Sequence, residues 1–202
     1  MSTLKCLKFM FVFLHLLGLV IILVAVALPK WFTTSPGSYS SLFALYCDGD
    51  CECVKEFSHS NNRWIGTFAV FVGIAGIILS TIALPFSVRR NSPEGFINIG
   101  IVNIFGSLIG ASGLGVLTYF FWNSDCKIIR EIGLPIPLFT VGLIIVLFTG
   151  VFSIVIAKFT RTKQEESEDS ATREQAPFTD LFGERSFKNN TSSFLSFGSR
   201  ED

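Results

Sequence analysis

Four stretches of the chain contain no Asp, Glu, Lys or Arg: residues 9–29, 64–88, 95–122 and 132–157. A helix that crosses hydrocarbon needs roughly 20 such residues at about 1.5 Å rise each, so every one of the four is long enough. Lipid offers the backbone no hydrogen-bond partner, which leaves the helix as the form to expect for each. A soluble core would need polar residues recurring at helical period within these windows, and none shows that. Residues 158–202, in contrast, are polar and charged. The formal net charge is zero, and no basic run is interleaved with aromatics, so nucleic acid is excluded as the expected partner and the lipid bilayer takes its place.

The flanks give orientation. Lys5 and Lys8 precede the first window, Arg89 and Arg90 lie between the second and third, and Lys158, Arg161 and Lys163 follow the fourth. Short-range basic clusters of this kind stay on the cytoplasmic side. The expected order is a cytoplasmic N-terminus (1–8), a first span (9–29), a first extracellular loop (30–63), a second span (64–88), a cytoplasmic loop (89–94), a third span (95–122), a second extracellular loop (123–131), a fourth span (132–157) and a cytoplasmic tail (158–202). Trp31, Trp64, Tyr119 and Trp122 all fall at the outer ends of spans, where they are expected at the headgroup level. Lys5 and Lys8 followed by an apolar run and Ala25-Val26-Ala27 also fit a cleavable signal peptide, which would leave three spans of the same sidedness.

Gly106 and Gly110 form a small-xxx-small pair in the third window, suited to close helix approach inside the bundle or between copies. Gly73 and Gly76 offer something similar in the second. His15, Asn98 and Asn103 are the polar outliers, expected to make interhelical hydrogen bonds worth roughly 0.6–2 kcal/mol each. Acidic and basic residues are missing from mid-span, against what proton- or ion-coupled transport requires. No Ser/His/Asp set, metal-ligand cluster near a span or phosphate loop points to catalysis, so no enzyme activity and no cofactor are expected.

Of five cysteines, Cys6 lies on the inner side beside the first span, a candidate for palmitoylation. Cys47, Cys51, Cys53 and Cys126 lie outside, where disulfides persist. A Cys51–Cys53 bridge would close a very short ring. Cys47 with Cys53, or with Cys51, would staple a hairpin around Asp48-Gly49-Asp50, and the remaining cysteine could join Cys126. Metal binding by this group is disfavoured by the oxidising compartment and by the lack of a histidine at ligand spacing. Alternation from Tyr39 to Cys47 predicts short strands. Asp48, Asp50 and Glu52 would be contact charges or would line a cation pathway.

The outer loop carries a pattern that resembles the claudin superfamily of four-span proteins, which includes claudins, epithelial membrane proteins and peripheral myelin protein. Trp31 stands where that signature begins. Ser41-Leu42-Phe43 stands where the family has Gly-Leu-Trp, Cys47 matches its first cysteine, and Cys51 or Cys53 its second. Trp64 and the run Gly95-Phe-Ile-Asn-Ile-Gly100 are similar to the epithelial and myelin members. The resemblance implies an all-α membrane fold, a four-helix transmembrane bundle carrying a small extracellular antiparallel β-sheet. It also implies a structural protein of the plasma membrane and of cell junctions, which organises cell–cell or membrane-domain contacts by adhesion and by association with itself or with other four-span proteins. Leu42-Phe43 would be an exposed contact surface. The alternative is an auxiliary subunit that regulates the gating or trafficking of a channel or receptor, as the calcium-channel gamma members do. Claudins end in a hydrophobic residue captured by PDZ domains; Asp202 predicts that this route is not used. Ser/Thr and charge from 160 to 202 predict disorder, interrupted by aromatics such as Phe178 and Phe194 that suit short docking motifs.

Overall fold

In the computed structural model the described residues are 3–35, 38–42, 45–46, 61–123 and 131–175. They form four long apolar helices and a small antiparallel sheet: α1 (Thr3–Ala27), β1 (Phe32–Ser35), β2 (Ser38–Ser40), β3 (Leu45–Tyr46), α2 (Asn61–Arg90), α3 (Pro93–Asn123), β4 (Glu131–Ile132) and α4 (Pro135–Gln175). Each helix is long and apolar enough to cross a membrane. Residues Met1–Thr162 form one compact unit and Lys163–Asp202 a second.

Local chemistry sets the helix ends. The last bond of α1 runs from the Leu28 amide to the Val24 carbonyl (3.1 Å), and Pro29, with no amide hydrogen, cannot extend the ladder. Between α2 and α3, Asn91 takes a left-handed backbone (φ 51°), which asparagine tolerates at a helix C-terminus. Ser92 then caps α3: its Oγ accepts the Gly95 amide (3.2 Å), and Pro93 occupies the first helical position, where its missing N–H costs nothing. Lys8 Nζ of α1 donates to Asn91 Oδ1 and lies 5.3 Å from the centroid of the Phe96 ring, which ties the start of α1 to this turn.

Glycines decide how closely the helices approach. A Cβ on Gly73 would stand 2.6 Å from the Gly106 carbonyl oxygen, so α2 and α3 touch backbone to backbone there. The same holds between α3 and α4, where a Cβ on Gly100 would lie 2.7 Å from the Gly150 carbonyl. Gly18 and Gly142 face each other between α1 and α4. Small residues at these crossings let the helix backbones come into direct contact. Gly106 and Gly110 are therefore inside the bundle, the latter against Leu143.

The interior has two apolar clusters. One gathers Ile22, Trp31, Val70, Ile77, Leu117, Phe139 and Val146 towards the sheet. The other gathers Phe11, Leu84, Phe96, Ile99 and Ile156 towards the Asn91 turn. The outside is equally apolar: Phe68, Leu79, Phe86, Phe105 and Phe148 are all exposed. Buried hydroxyl and amide groups with phenylalanines around them invert the pattern of a soluble protein, which rarely exposes large contiguous apolar surface.

Two helix boundaries differ from the sequence expectation. Ile132 belongs to β4, and α4 begins three residues later at Pro135, because the Gly133 amide is used to bond the Trp31 carbonyl (2.9 Å). At its other end α4 does not stop near 157 but runs to Gln175, through a stretch expected to be disordered. Its first polar turns, Lys163-Gln164-Glu165-Glu166, are strong helix formers, and a helix already nucleated needs no new nucleus to continue.

Candidate functional site

The sheet closes one end of the bundle, in the order β3-β2-β1-β4, all pairs antiparallel. Three of its strands come from the first loop and one from the second. Phe32 pairs with Ser40 on one side and Ile132 on the other, with an irregularity in the β1–β2 register between Thr33 and Ser35. Trp31 locks the sheet onto the helices. Its amide donates to the Ser40 carbonyl (2.9 Å), its carbonyl accepts the Gly133 amide, and its ring lies 5.5 Å from the Phe139 ring of α4. Phe32 stacks on Phe121 of α3 at 4.3 Å. A side chain on Gly133 would have its Cβ 1.8 Å from the Lys30 carbonyl oxygen, so the two loops meet where only glycine fits.

Two expectations are corrected here. Trp31 does not sit at an outer interface with Trp64, Tyr119 and Trp122: those three are exposed, whereas Trp31 is fully buried. Its backbone is held by strand bonds on both sides, which turns the indole down among Phe139 and the other residues of the sheet-side cluster. Leu42 is likewise not an exposed contact residue; it is 4% exposed and belongs to the same cluster. Phe43, Cys47, Cys51, Cys53, Cys126, Asp48, Asp50 and Glu52 lie outside the described residues, and the expected disulfides and acidic surface with them. Cys6 is exposed and free.

The polar outliers divide. Asn98 is exposed and stands apart. His15 and Asn103 are fully buried and meet between the two apolar clusters. The Asn103 side-chain amide donates to His15 Nδ1 (3.1 Å), so the ring proton sits on Nε2, which donates to Thr81 Oγ1 (2.8 Å). Thr81 passes its own proton to the Ile77 carbonyl (2.8 Å). Ser80 Oγ lies 2.5 Å from Asn103 Oδ1 and 2.7 Å from the same carbonyl, and shares its proton between them. Three helices are thereby joined by one directional chain in which each side-chain donor has an acceptor. Ser153 of α4 adds a bond to the Phe96 carbonyl of α3 (2.6 Å). Sequence reading marked His15 and Asn103 but not Ser80, Thr81 or Ser153; single hydroxyls in apolar helices carry too little signal. It also missed Arg63, buried at the start of α2 with its guanidinium 5.9 Å from the Trp64 ring centroid.

Such a chain can orient helices. It ends on a backbone carbonyl, and among the described residues no group of three or more His, Cys, Asp or Glu could hold a metal ion. Neither a family model nor a curated protein matches the chain.

Proposed function

We propose that the chain is a claudin-like four-span protein of the plasma membrane with both termini in the cytoplasm. In this reading it organises contacts between cells or membrane domains through its outer sheet and by association side by side within one bilayer. The observation that carries the reading is the sheet itself. It draws strands from both loops and is anchored through a buried Trp31, the residue at which the claudin-like pattern begins. A platform built this way presents a rigid surface at one end of an apolar bundle, which suits recognition in trans. The exposed Trp64, Tyr119 and Trp122 support an interfacial level at that end, and Arg89 and Arg90 support a cytoplasmic level at the other.

The test is to express the tagged chain in non-adherent cells and image it where two expressing cells touch. Enrichment at contacts between two expressing cells, missing where only one expresses, is expected. Uniform surface distribution would overturn the reading. Affinity purification from the same cells addresses the auxiliary-subunit alternative, which recovery of a channel or receptor subunit would favour.

A further inference from the structure

Six cations gather at the end of the bundle opposite the sheet: Lys5 and Lys8 of α1, Arg89 and Arg90 of α2, and Lys158 and Arg161 of α4. Within the unit Met1–Thr162, Glu94 is the one acidic residue described at that end. Their number alone follows from the rule that orients spans. Lys8 does not. A lysine stem is long enough to carry its charge out to the interface. This one is only 8% exposed and turns inward, so that its ammonium donates to Asn91 Oδ1 and lies 5.3 Å from the centroid of the Phe96 ring. Both partners are neutral, and among the described residues no carboxylate pairs with Lys8. A buried ammonium without a counter-charge is costly.

The turn that receives Lys8 is also suited to an anion. Arg89 and Arg90, in the last turn of α2, are exposed and precede it. Ser92 and the positive end of the 31-residue α3 follow it. We infer that this corner, Lys8 with Arg89 and Arg90 around Asn91-Ser92, seats the headgroup of an anionic phospholipid that carries a phosphate monoester. The inference goes beyond the contact function and rests on the membrane reading above, which sets the corner at the inner leaflet, where anionic lipids lie. Guanidinium groups take phosphate oxygens in pairs, and the ammonium gains the counter-charge that an amide oxygen does not supply. A diester alone offers one negative charge, whereas a further monoester adds about 1.5–2, which suits three cations.

The experiment uses the full chain in a neutral detergent. Bound lipid is counted by native mass spectrometry during titration with a short-chain phosphatidylinositol bisphosphate, with phosphatidylserine in parallel. One bisphosphate lipid per chain is expected, held at least about tenfold tighter than phosphatidylserine. Arg89→Gln with Arg90→Gln, which alters only exposed side chains, is expected to weaken binding more than about tenfold, as is Lys8→Met, which keeps the apolar stem. Lys158→Gln with Arg161→Gln removes the same charge from exposed positions of α4 and is expected to change the affinity by less than about threefold. Unfolding in SDS checks that each variant keeps its fold. Equal binding of phosphatidylserine, or an equal loss from the α4 pair, would leave only diffuse charge and overturn the inference. An affinity unchanged by Arg89→Gln with Arg90→Gln overturns it too, and so does free inositol trisphosphate bound as tightly as the lipid, which would assign the corner to a soluble anion. Detergent contains no cell contacts, so the two readings fail separately. Lipid binding without enrichment at contacts sinks only the functional proposal, and enrichment of a chain that binds no such lipid sinks only this one.

Discussion

Asn103→Ala isolates the polar chain at the centre of the bundle. The substitution removes the donor to His15 Nδ1 and the acceptor facing Ser80. Ser80 loses little, because the Ile77 carbonyl remains 2.7 Å away. His15 has no such reserve, and a buried ring nitrogen left unpaired beside Phe11 carries its desolvation cost, about 1–3 kcal/mol. The shortened side chain adds a small void beside Gly150, and the two effects together destabilise the bundle by about 2–4 kcal/mol. His15→Phe, the nearest apolar ring in shape, leaves Thr81 its bond to Ile77 and strands only the Asn103 amide, at about 1–3 kcal/mol. The double variant removes both ends of the bond. It is expected to be less destabilised than the sum of the singles by about 0.6–2 kcal/mol, the coupling typical of interhelical bonds. Unfolding by SDS in mixed micelles, followed by tryptophan fluorescence, measures all four corners of the cycle. A coupling no larger than about 0.3 kcal/mol, the ordinary error of additivity, would refute the claim that this pair joins the helices.

Two further outcomes follow from the sheet. The Trp31 indole nitrogen is buried and has no hydrogen-bond partner, so Trp31→Phe forfeits contact area but no bond. It is expected to cost less than about 1.5 kcal/mol, whereas Trp31→Ala costs about 3–5 kcal/mol in the same unfolding assay. Gly133→Ala forces a Cβ into the Lys30 carbonyl oxygen and is expected to detach β4 from β1. Limited proteolysis reads this as faster cutting in the loops with the helices still protected; unchanged loop cutting would show that the contact is dispensable.

The helices were legible because length without charge is a crude and strong signal, and the windows 9–29, 64–88 and 95–122 carry it on composition alone. Glycine at 106 and 110 signalled close packing, but sequence could not say which partner each faces: Gly106 meets Gly73, and Gly110 meets Leu143 of α4. His15 and Asn103 stood out because a polar side chain in an apolar run is costly unless paired. Their hydroxyl partners did not, because serine and threonine satisfy themselves on their own helix and so need no special neighbours. Trp31 was misplaced for a related reason. A tryptophan at the end of a span suits both a headgroup belt and a core, and only the strand bonds made by Trp31 and Phe32 decide between them. The start of α4 was misjudged because apolar Ile132 reads equally well as helix or strand, and its pairing with Phe32 is a long-range contact.

The sheet has a consequence for how such chains can be rearranged. Because β4 of one connection is hydrogen-bonded to β1 of the other, and Gly133 closes on Lys30, the two connections are not separate modules. Exchanging one of them with a related protein would leave half a ladder without its complement, exposing strand edge where a bond had been. The pair transplants together or not at all, and any surface they present is inherited as a unit.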